Sequence, residues 1–117
     1  MTKIDKPWGY EIIWAKTNKY VGKILHINKN SRLSRQYHEI KEETIYVLNG
    51  ELHLEIGQED NLQIMNLTQG QTYHITPGLV HRFCALETEV DLMEVSTPEL
   101  ADVIRIQDDY KRLSTTP

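Results

Sequence analysis

The stretch SRQYHEIKEETIYVLNG, residues 34–50, holds one imidazole, His38, a carboxylate five positions on, Glu43, and an amide two positions before, Gln36. If residues 32–38 form a strand, side chains alternate and Arg32, Ser34, Gln36 and His38 share one face. Leu33, Arg35 and Tyr37 then take the other. A purely structural strand would turn Leu or Val inward, so an inward polar face marks a wet pocket. Glu43 opens the next strand on the face of Ile45 and Val47, and His81 follows the Pro77-Gly78 turn at the start of a later one. Neutral imidazole nitrogens and carboxylate oxygens are usual ligands of first-row divalent metals. Gln36, His38, Glu43 and His81 together would leave one or two coordination positions open, as a catalytic metal requires. With one carboxylate the loaded site keeps a charge of about +1, which suits an anionic or polyhydroxylated ligand.

Such side chains need short strands to carry them, and the chain is rich in strand signals. Runs at 10–17, 19–27, 32–38, 43–50, 51–57, 62–67, 71–76, 81–87 and 90–96 are separated by turn residues such as NKNS, QEDN and Pro77-Gly78. Asn49-Gly50 predicts a hairpin between the fourth and fifth runs, because both positions tolerate positive φ. The tail from Pro98 to Tyr110 predicts a turn or 3₁₀ segment and a final strand. Strands at this spacing without long helices predict an all-β sandwich or barrel. In the run 43–50 both faces are apolar, Ile45 and Val47 on one and Tyr46 and Leu48 on the other, so both should be covered. A second sheet would cover one. A partner subunit or the N-terminal segment would cover the other.

The 117 residues suffice for one domain with a real core and are too few for two. A net charge of −4 argues against general nucleic-acid binding. The single cysteine, Cys84, excludes an internal disulfide and a cysteine zinc site, and fits a reducing, cytoplasmic setting. No apolar run approaches the ~20 residues that cross a bilayer, and the N-terminus lacks a signal-peptide pattern, so a soluble intracellular protein without membrane partners is expected.

The spacing Gln36-x-His38-x4-Glu43-x6-Gly50, followed by Gly70 and Pro77-Gly78-x2-His81, resembles the two motifs of the cupin superfamily. The opening Gly of the first motif is missing, with Asn30 nearest. Gln36 stands for its first His, and in the second motif Pro77 directly precedes Gly78. The stretches KPWGYE (6–11), RLSRQYHEIKEETIYVLNGEL (32–52), GLVHRF (78–83) and EVSTPELADVIRIQDDYKR (94–112) are similar to the cupin domain of type II mannose-6-phosphate isomerases, which also ends mannose-1-phosphate guanylyltransferases. The resemblance implies a single double-stranded β-helix (jelly-roll) domain over 1–117, a homodimer, and Gln36, His38, Glu43 and His81 as metal ligands. It also implies a divalent ion, for which zinc, manganese, iron, cobalt and nickel all accept these donors. The closing motif is present as Arg105, Asp108, Tyr110 and Arg112, with Lys111 in place of the family's Gly; Arg35 and Thr44 are further departures.

The chemistry implied is aldose–ketose isomerisation of mannose 6-phosphate or a related hexose phosphate, with a metal stabilising the developing oxyanion. Arg32 and Arg112 are the expected catalytic-site anchors for phosphate, because guanidinium pairs bidentately with phosphate oxygens. Lys23 and Arg82 are weaker candidates. His74 and Glu94 are the candidate bases, with facing that the sequence leaves open. Two other functions compete: a non-catalytic carbohydrate- or sugar-nucleotide-binding module, and an iron dioxygenase built on two His and one carboxylate. His26 and His53 read as ordinary strand residues, and Trp8 and Trp14 as packing anchors.

Overall fold

The computed structural model describes residues 1–114. Their strands are β1 (Thr2–Lys6), β2 (Gly9–Lys16), β3 (Val21–Ile27), β4 (Ser31–Arg32), β5 (Arg35–Tyr37), β6 (Glu43–Asn49), β7 (Leu52–Ile56), β8 (Gln63–Leu67), β9 (Thr72–Ile75), β10 (His81–Ala85), β11 (Val90–Ser96) and β12 (Ile104–Gln107), with a 3₁₀ turn at Glu59–Asn61. They form two antiparallel sheets, ordered β1-β2-β3-β11-β6-β9 and β12-β5-β10-β7-β8, with β4 beside β10. This is an all-β barrel, as the strand spacing predicts, with the jelly-roll architecture that the resemblance implies.

Period-two alternation builds the interior. In β3 the inward row is Val21, Lys23, Leu25 and Ile27; in β6 it is Glu43, Ile45 and Val47; in β11 it is Val90, Leu92, Glu94 and Ser96. Register aligns these rows: Leu92 lies opposite both Leu25 and Val47, and Glu94 opposite Lys23 and Ile45. From the second sheet, Leu52, Leu54, Phe83 and Ala85 complete the apolar core. The interior therefore has an apolar end and a charged end.

Three expectations change. Asn49-Gly50 does not close a hairpin: β6 pairs with β11 and β9, whereas β7 pairs with β10 and β8. The turn carries the chain from one sheet to the other, and Gly50 (φ 82) lies so close to Glu89 that a Cβ would sit 2.2 Å from its carbonyl oxygen. The run 32–38 is two strands, not one. Arg32 is opposite Cys84 but Gln36 is opposite His81, so four steps on one side match three on the other. The extra residue is a bulge at 33–35, and it reverses side-chain parity. Finally, the N-terminal segment does not cover the outer face of β6. Tyr46 is 43% exposed, and β1 pairs at the far edge of the sheet.

Candidate metal centre

The charged end of the barrel holds a cavity of about 110 Å³. His38 reaches it from the loop after β5, Glu43 from the first position of β6 and His81 from the first position of β10. All three side chains are buried, and one donor atom from each lies within 4.8 Å of the others. His38 Nε2 is 3.6 Å and His81 Nε2 3.4 Å from Glu43 Oε1.

The tautomers follow from the outer hydrogen bonds. His38 Nδ1 lies 2.5 Å from the Asp102 carbonyl oxygen, and His81 Nδ1 2.9 Å from that of Leu79. A carbonyl only accepts, so each Nδ1 carries the proton and each Nε2 turns a lone pair to the cavity. Among the described residues neither Nε2 has a hydrogen-bond partner, nor does Glu43 Oε1. Buried polar atoms left orphaned and convergent, with their rings fixed by backbone carbonyls, fit a divalent cation.

Asp102 builds this arrangement and was not foreseen. Its carbonyl takes His38, while its carboxylate accepts from the backbone N–H groups of Glu39, Ile40 and Lys41 at 3.2, 2.7 and 2.9 Å. Burial would raise its carboxyl, but those three donors outweigh burial and hold it low. The 38–41 loop is thereby tied to the segment before β12.

Lys41 and Glu94 complete the charged layer. Lys41 Nζ lies 3.1 Å from one oxygen of Glu43 and 3.1 Å from one of Glu94. Those oxygens lack a well-aligned hydrogen bond, so the ammonium acts mainly through its charge. Burial is the largest single influence and would raise Glu43, but Lys41, His38 and His81 together outweigh it and hold the carboxyl well below its ordinary value. Glu94 is shifted upward, by burial first and then by the Glu43 charge. Burial would lower Lys41, yet its two carboxylates raise it.

The remaining predicted residues divide. Gln36 lines the cavity, its Oε1 accepting from Ser34 Oγ at 2.6 Å; an amide oxygen keeps a second lone pair. Arg112 lines it too, as do Arg105, Lys6 and Lys23. Arg32 does not. The bulge turns it to the outer face, where it binds Asp109. Arg82 is also outside, with its Nε donating to the Leu33 carbonyl at 2.8 Å. His74 is half-exposed beside Glu42 and away from the cavity, which leaves Glu94 as the inward member of the candidate bases. Cys84 is buried under the outer arginines, and burial, then Glu55, pushes its thiol up to about 12. The cavity wall thus carries five cationic side chains, Lys6, Lys23, Lys41, Arg105 and Arg112, against three carboxylates, Glu11, Glu43 and Glu94.

A two-sheet jelly roll with an inward His-Glu-His cluster defines a barrel protein with a buried candidate metal site. The chain belongs to the cupin family: residues 23–96 match its cupin domain. No curated protein matches the sequence. Among solved structures, KdgF from Halomonas sp. aligns with a TM-score of 0.73 and 19% identity over 84% of this chain and 88% of that one. The capsular polysaccharide assembling protein CapF from Staphylococcus aureus aligns with a TM-score of 0.80 and 13% identity, over 91% of this chain but only 31% of its own. The polyketide cyclase RemF from Streptomyces resistomycificus aligns with a TM-score of 0.74 and 20% identity, over 83% and 70%. Likeness at these identities shows the shared fold, on which neighbours of diverse function are built.

Proposed function

We propose that this cupin is a metal-dependent isomerase acting on a hexose phosphate, mannose 6-phosphate being the leading substrate. The observation that carries the reading is the cationic wall, Arg105, Arg112, Lys6 and Lys23, in the same cavity as His38, Glu43 and His81. His38, Glu43, His81 and the Gln36 amide oxygen would hold the ion, which when bound would supply positive charge for an oxyanion developing on the sugar. Arg112 and Arg105 receive the phosphate, since guanidinium pairs with its oxygens directionally. Glu94 faces the same space, its Oε2 3.1 Å from Lys41 Nζ, and is the carboxylate that moves a proton between adjacent carbons. A coupled assay on metal-loaded protein across hexose phosphates tests the reading. Turnover that Glu94→Gln abolishes supports it, and a filled site without turnover on any of them overturns it.

Two His and one carboxylate are also the ligand set of non-haem iron oxygenases, which makes an iron dioxygenase the second reading. Oxygen consumption with iron and not zinc would favour it. We place the protein in the cytoplasm as a homodimer, joined through the outer face of Thr44, Tyr46, Leu48, Met93 and Val95, which line a surface groove whose wall is almost wholly apolar. Among the described residues no helix is long and apolar enough to cross a membrane. Sedimentation of Tyr46→Lys tests the dimer: a wild-type dimer that this change dissociates supports it, and a monomeric wild type overturns it.

A further inference from the structure

Two adjacent carboxylates after β12 turn to opposite sides of the barrel wall. Asp108 holds Arg112: its Oδ2 accepts from the Arg112 backbone N–H at 2.7 Å and from Nε at 2.9 Å, and its Oδ1 accepts from Nη2 at 3.1 Å. Arg112 lines the cavity. Asp109 faces outward. Its Oδ2 accepts from Arg32 Nε at 2.7 Å, and its Oδ1 accepts from Arg32 Nη2 at 2.9 Å and Arg82 Nη2 at 3.1 Å. Arg82 is fully buried and tied to Leu33, so this end of the clamp is fixed. An isolated surface ion pair contributes little. This one is bidentate and shared with a buried guanidinium, which adds direction as well as strength. Only Tyr110 and Lys111 separate Asp109 from Arg112, and Lys111 closes the turn at φ 55. Over so short a span the two ends cannot shift independently.

We propose that Asp109, clamped by Arg32 and Arg82, is a positioning residue for Arg112. It fixes the strap 108–112 so that the Arg112 guanidinium stays at the cavity and receives the anionic end of the ligand. The inference rests on the anionic-ligand reading above and deepens it. Arg32 thereby acts on a ligand that it does not touch.

The test uses the full metal-loaded chain, inorganic phosphate as probe, calorimetry for affinity and amide hydrogen exchange over 105–113. Asp109→Asn is expected to weaken phosphate binding about tenfold, as misplacement of a binding group does, to leave the metal stoichiometric, and to speed exchange of the Arg112 amide. Arg112→Gln should weaken binding comparably, and adding Asp109→Asn to Arg112→Gln should cost nothing more. A merely structural role would not give that non-additivity. Wild-type affinity in Asp109→Asn would overturn the proposal, as would an equal loss in the Arg112→Gln background. If the wild type binds no phosphate, the anionic-ligand reading fails instead, and exchange decides the clamp: faster exchange in Asp109→Asn upholds it, unchanged protection sinks it.

Discussion

The two ends of the barrel interior are made by the same strands and obey opposite rules. At one end Ile27, Val47, Leu52, Ala85, Val90 and Leu92 are sealed from solvent with no polar group among them. A few residues along, Lys23, Glu43 and Glu94 occupy the same inward rows, equally buried, and His38, Lys41 and His81 join them. Apolar burial stabilises the first end by roughly 25 cal/mol per Å². At the second end every charge loses its hydration, a cost offset only by pairing. Glu43 and Glu94 share one ammonium, and one carboxylate oxygen and two imidazole nitrogens face the cavity unpaired. The apolar end holds the fold, and the charged end keeps a His-Glu-His cluster of unpaired donors that could hold a metal ion.

That division can be attacked from either side, and the largest effect is expected at Lys41. Lys41→Met leaves Glu43 and Glu94 buried without their common cation, and breaking a buried pair costs about 3–5 kcal/mol. Urea unfolding should show the full loss in chelator-treated protein and a smaller one with metal bound, because the ion restores positive charge beside Glu43. Equal losses in both states would mean that Lys41 and the metal do not share a role. At the other end Leu92→Ala should cost about 3 kcal/mol through transfer and cavity terms. Its metal affinity, measured by competition with a chromogenic chelator, should stay at the wild-type value. A tenfold weakening would show that the two ends are mechanically coupled and would break the comparison.

The apolar end was legible because it is local: alternation in 43–50, 51–57 and 90–96 names its residues directly. Of the charged end, motif spacing yielded Gln36, His38, Glu43 and His81, and the resemblance yielded Arg112. The pairing among them was hidden. Lys41 lies in EIKEE, a charge-rich loop that reads as solvated, and Glu94 sits in a strand with acidic neighbours. Their burial depends on contacts between strands far apart in sequence. Asp102 is more than 60 residues from the loop it ties down. The bulge at 33–35 misled parity because nothing in RLSRQ marks an inserted residue, and it sent Arg32 outward. The Asn49-Gly50 turn was placed correctly but not its partners, since positive φ fixes the turn and not the sheet that each arm joins.

The strap over the charged end gives smaller effects of a different kind. Burial raises the Asp108 carboxyl, but the Arg112 side chain and the Arg112 and Tyr110 backbone amides outweigh it and hold the group at about 2. A lowered folded-state value stabilises above the ordinary carboxylate range near 4 and is lost as pH falls toward 2. Allowing for solvent around Arg112, Asp108→Asn should cost about 1 kcal/mol at neutral pH. In metal-free protein followed from pH 6 to pH 3, the gap between variant and wild type should narrow. A constant gap would mean that the pair contributes no charge interaction.

Lys111 tests the same strap with the sign reversed. Its φ of 55 lies in the left-handed region, where a side chain on an L residue meets its own backbone. Lys111 is exposed, and among the described residues its side chain has no pairing that offsets this strain. Lys111→Gly removes the clash but gives the unfolded chain more freedom, two terms of about 1–2 and 0.5–1 kcal/mol that leave a net gain of about 0.5–1 kcal/mol. Thermal unfolding should show a small rise in Tm, and phosphate affinity should hold, because the clamp from Asp109 and not the turn residue sets Arg112. If stability rises while affinity falls, the strain at Lys111 is itself part of what aims the guanidinium, and the charged end would reach further along the strap than its buried pairs.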